Sequence, residues 1–245
     1  NDAGQASFLT ELDTGQAAVY SPRSGSLQPV AVTGGIAPGF QQPVTFGQFY
    51  GFGHQMNASG DTAFFAEIDE FLIHDQVLYA EKEGTLELIA REGSAVPDLE
   101  GVHFESFNMF SMHLNDAGQI AFQATIDGSD VDTSNDRALF VEFDGDLRLV
   151  AREGDLVPGT GGSSAYSSLS EPVLSAGGQL FFQAKLSDSE RYSGIFQETA
   201  NTGVVTALLT GDSAPGLSQG TELGSFNTPA INQTNQLAFS VRLDG

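Results

Sequence analysis

An acidic stretch between residues 127 and 136 carries the residue types that calcium binds. Oxygen-bearing side chains stand at alternate positions there, at Asp130, Asp132, Ser134 and Asp136. Calcium takes several oxygen ligands, and alternate side chains of a turning loop can converge on one ion. The stretch lacks the central glycine and the final glutamate of a complete EF-hand loop. We predict a calcium site here, the one cofactor that the sequence suggests, with a solvated acidic loop as the alternative.

Two of the four histidines, His54 and His113, stand at nearly the same place in successive copies of an internal repeat. A recurring histidine suggests a ring of ligands. The corresponding positions in two further copies hold Val173 and Ala230, however, so the ring is not sustained. We therefore expect both histidines to be half-exposed strand residues.

No catalytic motif accompanies these residues. The chain has neither a His-Glu-x-x-His pair nor a Gly-x-Ser-x-Gly nucleophile turn. The glycine-rich stretch at 159–162 does not lead from a strand into a helix, as a phosphate loop does. With 32 acidic residues, chance pairs of carboxylates are too common to indicate a glycosidase. Arg91 and Arg152 recur within Ala-Arg-Glu-Gly, and we expect them to pair with nearby carboxylates. The sequence predicts no enzyme.

Charge and composition exclude several classes of protein. The formal net charge is −23, which repels nucleic acid phosphates and anionic lipid headgroups. There is no cysteine, so disulfides and thiolate metal sites are excluded. No apolar run is long enough to span a membrane. The chain begins at Asn1 without a Met, and we interpret it as a mature or trimmed segment of a longer precursor.

The elements that would position these residues come from a tandem repeat. Five segments of the form Asn-x-x-Gly-x-x-Ala-Phe align, and each ends at a phenylalanine: Phe8, Phe64, Phe122, Phe182 and Phe239. The spacings between these phenylalanines are 56, 58, 60 and 57 residues. Such a period indicates stacked units of one architecture. We expect these five phenylalanines to lie in the core.

Two further sequence motifs recur with the same spacing as the Asn-x-x-Gly-x-x-Ala-Phe segments. A Gly-x-x-x-Pro motif begins at Gly34, Gly93, Gly154 and Gly211. A pair of large apolar residues three apart follows it each time, at Phe46/Phe49, Phe104/Phe107, Tyr166/Leu169 and Leu223/Phe226. Three motifs that recur with the same spacing make a chance alignment improbable. They place the units at about 1–45, 46–103, 104–165, 166–222 and a partial 223–245.

Each unit is predicted to contain four short antiparallel strands, A to D. Residues Ile120, Phe122, Ala124 and Ile126 alternate on one face of strand B. An Asp144-Gly145 turn then favours a hairpin between strands C and D. Tandem four-stranded meanders predict an all-β chain, most simply a β-propeller or part of one. A β-solenoid-like array is the alternative.

The repeat resembles a bacterial family of exported tandem-repeat proteins defined by this NxxGxxAF motif, whose members often carry PEP-CTERM-type sorting tails. The motif is complete at Asn57, Gly60, Ala63 and Phe64, and again from Asn115 to Phe122. It is degraded at Ser7, at Ser175 with Phe181, and at Asn235. The resemblance implies export to the cell surface and implies no reaction.

Three functions are compatible with these features. The first is an extracellular structural or adhesive repeat protein, which could form surface layers or filaments by self-association through its terminal strands. The second is a glycan- or ligand-binding propeller with its site at the axial face. The third is a carboxylate-dependent hydrolase on that face. The fold alone does not separate them. Residues that differ between repeats should cluster around a central opening if the protein binds a ligand.

Overall fold

The computed structural model describes residues 1–22, 26–70, 73–82, 84–199, 203–232 and 234–245. All regular structure in these residues is β-strand, which confirms the all-β prediction. No helix in this part of the chain has the length and apolar character to cross a membrane. The strands are β1 Phe8–Glu11, β2 Ala17–Ser21, β3 Gln28–Val32, β4 Ile36–Ala37, β5 Val44–Met56, β6 Thr62–Glu70, β7 Ile73–Lys82, β8 Thr85–Arg91, β9 Val102–Leu114, β10 Ile120–Gly128, β11 Arg137–Phe143, β12 Asp146–Arg152, β13 Tyr166–Leu169, β14 Val173–Leu174, β15 Leu180–Leu186, β16 Ser193–Thr199, β17 Gly203–Leu209, β18 Glu222–Phe226, β19 Ala230–Ile231, β20 Leu237–Ala238 and β21 Val241–Asp244.

These strands form one antiparallel sheet in each of units 1 to 4 and two short two-stranded sheets in unit 5. Units 2 and 3 have the strand orders β5-β6-β7-β8 and β9-β10-β11-β12, with the short β4 added beside β5. Unit 4 repeats the pattern, with strand A divided into β13 and β14. Unit 1 has strands B to D (β1-β2-β3), and unit 5 has strands A and B (β18 and β19 paired with β21 and β20). The A strands of neighbouring units contact one another, β5 with β9, β9 with β14 and β14 with β19.

The hydrophobic core lies between consecutive sheets. Strand residues alternate, so each sheet presents one set of side chains to the preceding unit and the other set to the next. Phe65 and Leu78 of unit 2, for example, share a buried cluster with Phe122 and Phe140 of unit 3. Within each of units 1 to 4 the phenylalanine of strand B stacks on an aromatic ring of strand C, as Phe122 does on Phe140 with centroids 5.5 Å apart. The units are thus held together by burial of shared apolar surface.

Backbone hydrogen bonds join the Gly-x-x-x-Pro motif to the pair of large apolar residues that follows it. The N–H of Gly93 donates to the carbonyl oxygen of Phe104 (2.8 Å), and the N–H of Phe104 donates back to the carbonyl oxygen of Ser94 (3.0 Å). Gly154 and Gly211 make the same bond to the first residue of the following apolar pair. Gly93 has a φ of 76°, a conformation that glycine adopts without steric cost. The motif therefore closes the loop that leads from strand D to the next strand A.

The prediction that five phenylalanines form the core is confirmed for three of them. Phe64, Phe122 and Phe182 are buried. Phe239 is half-buried against Phe226, and the prediction is wrong for Phe8, which is 39% exposed. In units 2 to 4 the first aromatic residue of strand A packs on this ring, as Phe104 does on Phe122. Described unit 1 contains no strand A, so Phe8 keeps only its stacking partner on strand C, Tyr20.

The terminal strands do not pair with each other. In the described residues β1 pairs with β2 alone, and β18 and β19 pair with the strands that follow them. Within these described strands, the last strand A therefore does not pair with the first strand B inside one molecule. Self-association through these strands stays a prediction.

Candidate functional site

The recurring Asn builds the turn between strands A and B. The side-chain Oδ1 of Asn57 accepts the N–H of Asp61 (2.9 Å), and the backbone N–H of Gly60 donates to the Asn57 carbonyl oxygen (3.2 Å). Gly60 has a φ of 91°, which explains the fixed glycine three residues after the Asn. Asn1, Asn115 and Asn232 accept the equivalent N–H in the same way, and Ser175 does so with its hydroxyl.

The same Asn also links consecutive units. The Nδ2 of Asn57 donates to the carbonyl oxygen of Asn115 (2.9 Å), and the Nδ2 of Asn115 donates to that of Ser175 (2.7 Å). Asn1 reaches the carbonyl oxygen of Ala58 (3.0 Å). Ser175 has no amide to continue the series. The repeated Asn therefore has a structural role that its position in a turn did not reveal.

Turns from all five units line one cavity of about 290 Å³. Carboxylates of Asp2 and Asp116 and the exposed small side chains of Ala58 and Ala176 contribute to its wall. The full lining comprises Asn1, Asp2, Met56, Asn57, Ala58, His113, Leu114, Asn115, Asp116, Leu174, Ala176, Ile231 and Asn232. We call this cavity the turn pocket. It brings together five sequence segments that lie as much as 231 residues apart.

Both histidines are half-buried strand residues, as the sequence led us to expect, but they do not occupy equivalent positions. His54 pairs across the sheet with Phe64, whereas His113 pairs with Ala121, one register position later. Because strand residues alternate, this difference places the two side chains on opposite faces. His54 Nε2 lies 2.8 Å from Ser7 Oγ of the preceding unit. His113 Nδ1 accepts the N–H of Leu174 in the next unit (3.1 Å).

Gln55 is the true counterpart of His113. It pairs with Ala63 as His113 pairs with Ala121, and its Oε1 accepts the N–H of Leu114 in the next unit (2.9 Å). Since Nδ1 of His113 is an acceptor, the proton of its neutral ring lies on Nε2, which is left as a donor. Burial lowers the pKa of His113 below its usual value, and the charge of Asp116 offsets part of this.

The acidic residues predicted to bind calcium form a hydrogen-bonded loop between β10 and β11. Asp132 Oδ1 accepts the backbone N–H of Ser134 (2.8 Å) and its hydroxyl (2.5 Å). These bonds lower the pKa of Asp132. The Asp136 carbonyl oxygen accepts the N–H of Ile126 (2.8 Å), and Asp130 adopts a positive φ of 61°. Nowhere in the described ranges are three or more acidic or histidine side chains placed to hold a metal ion. Calcium binding stays a prediction.

The two recurring arginines differ in their partners. Arg91 lies 2.7 Å from a carboxylate oxygen of both Glu70 and Asp75, as the sequence led us to expect. Arg152 instead donates to the backbone carbonyl oxygen of Asn135 (2.7 Å) within the acidic loop. A guanidinium group thus satisfies carbonyl oxygens in the loop where calcium was predicted.

A second set of inter-unit contacts was missed from the sequence. Glu142 and Glu198 are buried at the end of strand C, and each meets a cation of the preceding unit, Lys82 at 2.7 Å and Arg148 at 2.7 Å. Burial raises the pKa of Glu198. Glu81 holds the same place in unit 2 and accepts the hydroxyl of Ser21 (3.0 Å). The sequence feature that could have indicated these inter-unit contacts is a Glu three residues before a turn glycine, as at Glu81 and Glu142.

A wider cleft of about 590 Å³ lies between units 1 and 2 and tests the idea of paired catalytic carboxylates. Its acidic side chains include Glu67 and Asp69. Glu67 accepts the hydroxyl of Tyr50, and Asp69 lies 2.8 Å from His74 Nδ1. Both carboxylates thus have protein partners, Glu67 in Tyr50 and Asp69 in His74.

The fold and the turn pocket define a tandem-repeat, all-β chain whose units share one cavity. The chain belongs to the family described as "Family of unknown function (DUF7453)", whose model matches residues 1–201 and, a second time, residues 144–245. Two overlapping matches are expected of a repeated sequence. A search of curated proteins found no match.

One similar solved structure is titled "High resolution structure of Penicillium chrysogenum alpha-L-arabinanase complexed with arabinobiose". The likeness has a TM-score of 0.27 and 12% sequence identity, over 89% of this chain and 74% of that chain. A similarity this slight carries no argument about fold or activity.

Proposed function

We propose that this chain is an extracellular binding and adhesive module of β-propeller architecture, which holds a small polyhydroxy ligand such as a glycan in the turn pocket. The observation that carries the proposal is the shared lining of that pocket. The NxxGxxAF resemblance supports export to the bacterial surface, and the anionic surface is compatible with it.

The shared pocket favours a ring over a linear array. Packed sheets are spaced about 10 Å apart, so the first and fifth sheets of a straight stack would be separated by roughly 40 Å. Asn1 of unit 1 and Asn232 of unit 5 nevertheless line the same cavity of about 290 Å³. An arrangement of the five units around a common axis explains this proximity, and such an arrangement is a propeller or most of one.

The lining of the turn pocket suits hydroxyl groups. Asp116 Oδ1 accepts the N–H of Ala58 (2.9 Å), which leaves Oδ2 and the Asp2 carboxylate as acceptors for a ligand. Nε2 of neutral His113 is a donor. A ligand rich in hydroxyls can satisfy donors and acceptors together. The cavity is at the small end of the range for ligand sites, which suits one or two sugar rings.

A binding role without catalysis follows from the same residues. The Asn side chains of the pocket are engaged in turns and inter-unit bonds, and no lining residue forms a nucleophile and base pair. Glu67 and Asp69, in the wider cleft, are held by Tyr50 and His74. We therefore propose that the ligand is bound and not transformed.

The test is a glycan array probed with labelled protein, followed by calorimetry of the best ligand on two variants. Ala176→Trp places a large ring in the turn pocket without removing a side-chain hydrogen bond. Ala117→Trp is the matched control, because Ala117 is exposed at the next position of the neighbouring turn and does not line the pocket. We expect affinity to fall at least tenfold in the first variant and to be retained in the second.

Two results would contradict the proposal. Affinity that survives Ala176→Trp would mean that the ligand binds elsewhere. Cleavage of the bound glycan during a long incubation would mean that the chain is a hydrolase.

A further inference from the structure

Two exposed phenylalanines from neighbouring units are in contact on the A strands. Phe52 and Phe110 are each 66% exposed, and their ring centroids lie 5.0 Å apart at an interplanar angle of 40°. Both belong to bulges where strand A leaves its register with strand B. Exposure of two adjacent rings is costly in water unless a partner covers them.

The structure holds the two bulges together. Gly53 has a φ of 74°, and a Cβ atom there would overlap the carbonyl oxygen of Met109 in the other bulge. The second bulge is fixed by Asn108, whose Oδ1 accepts the N–H of Phe110 (3.2 Å) and whose Nδ2 donates to Gln123 (2.8 Å). The pairing of the rings is thus a property of the backbone, not of chance side-chain positions.

Only the long A strands of units 2 and 3 carry this exposed aromatic residue in the described part of the chain. The Asn position comes eight residues after the second residue of the apolar pair in units 2 and 3 but only six residues after it in units 4 and 5, so the bulge has no counterpart in the last two units. Residues that differ between repeats are those that the shared architecture does not require. Two exposed ring faces on a protein of net negative charge suit a flat, positively charged group.

The fold already uses phenylalanine rings to hold guanidinium groups. The Cζ atom of Arg91 lies 5.1 Å from the centroid of Phe40, and that of Arg148 lies 4.8 Å from the centroid of Phe143. Both distances are within the range of a cation–π interaction. In the described part of the chain no cation lies over Phe52 or Phe110. With a formal charge of −23, the protein attracts cations to its surface.

We propose that Phe52 and Phe110 form an open site for the arginine side chain of a basic partner peptide. The guanidinium group stacks on the ring faces, and the field of the acidic surface, with a formal net charge of −23, attracts it. A peptide side chain is favoured over a free small molecule because the rings lie open and are not enclosed by a cavity wall. The site is separate from the turn pocket and does not depend on the function proposed for it.

The experiment measures fluorescence anisotropy of a fluorescein-labelled Gly-Arg repeat peptide on five forms of the protein. These are wild type, Phe52→Leu, Phe110→Leu, the double leucine variant, and the double tyrosine variant. Leucine keeps apolar area but removes the ring face, whereas tyrosine keeps it. We expect the Kd to rise about two- to fivefold for each single leucine variant and about five- to twentyfold for the double, from the strength of exposed cation–π contacts. The tyrosine variant should bind like wild type.

The controls separate the rings from general charge attraction. Ile36→Ala removes another exposed apolar residue (74% exposed) and should leave the Kd unchanged. A citrulline version of the peptide, which has the same shape without charge, should bind poorly to all forms. A Kd unaffected by the double leucine variant, with unfolding curves superimposed, would overturn the proposal. So would a leucine-containing peptide that binds through the same two rings as strongly as the arginine peptide.

Discussion

The side-chain Nδ2 of Asn57 donates a 2.9 Å hydrogen bond to the carbonyl oxygen of Asn115, its counterpart one unit further along the chain. The motif that defines the repeat therefore also joins one repeat to the next. Asn57 and Asn115 each use Oδ1 to close their own turn and Nδ2 to reach the next unit. Turn geometry and the relative placement of units are consequently set by the same residue.

Substitution of Asn115 separates its two roles. Asn115→Ser keeps a hydroxyl acceptor for the turn, as Ser175 does naturally, but loses the bond to the next unit. We expect a loss of about 1 kcal/mol in the free energy of unfolding for the serine variant and about 2–3 kcal/mol for Asn115→Ala, which loses both. Urea denaturation measures this. Asn232→Ser is the control: Asn232 is exposed and makes no inter-unit side-chain bond in the described residues, so its effect should be near zero. Equal effects at both sites would contradict an inter-unit role.

Phe122 and Phe8 occupy the same motif position with opposite burial. Phe122 is fully buried, and Phe122→Ala should cost about 3–5 kcal/mol of unfolding free energy. Phe8→Ala should cost less, about 1 kcal/mol, because the ring is 39% exposed. Chemical denaturation of both variants makes the comparison. A small cost at Phe122 would mean that strand B has been misassigned.

The ion pair between Lys82 and Glu142 joins units 2 and 3. Glu142 is buried, whereas Lys82 is about a quarter exposed, so water already screens part of the interaction. We expect Lys82→Met to cost about 2 kcal/mol because it leaves the Glu142 charge buried without its cation. The double variant Lys82→Met with Glu142→Gln should recover part of this loss, and a double-mutant cycle in urea gives the coupling. Additive single effects would show that the pair does not stabilise the contact.

The lowered pKa of His113 predicts part of the loss of folding stability at acidic pH. Burial lowers its pKa in the folded state, so below the unfolded pKa of about 6.5 the unfolded chain binds more protons than the folded one. Stability is therefore lost as pH falls from that value towards the folded pKa. Gln55 performs the same inter-unit task without titrating, so His113→Gln should keep the fold and lose less stability between pH 7.5 and 5 than wild type. Urea midpoints that fall by the same amount with pH in wild type and in His113→Gln would contradict this prediction. The variant Gln55→Ala tests whether the hydrogen bond from Leu114 of the next unit contributes to stability.

Sequence patterns predicted the architecture of the unit but not the way in which units meet. Periodic Asn, Gly and Phe positions identified the strands because turn geometry and alternation are local properties. The opposite faces of His54 and His113 could not be predicted, because a shift of one residue reverses a strand side chain and spacing alone does not show the register. Phe8 was misplaced because its burial depends on an A strand that the described unit 1 does not contain. The partners of Asn57 and Glu142 lie 58 and 60 residues away, beyond any local pattern.

The central claim is that the five units surround one axis, and distances between spin labels test it most directly. The chain has no cysteine, so Ala3→Cys, Ala117→Cys and Thr234→Cys, taken in pairs, place labels at the third position of the turns of units 1, 3 and 5. In a ring, units 1 and 5 are neighbours or nearly so, and the distance from 3 to 234 should be no longer than that from 3 to 117. In a straight stack it should be about twice as long, near 40 Å against 20 Å. A 3–234 distance that exceeds the 3–117 distance twofold would contradict the account.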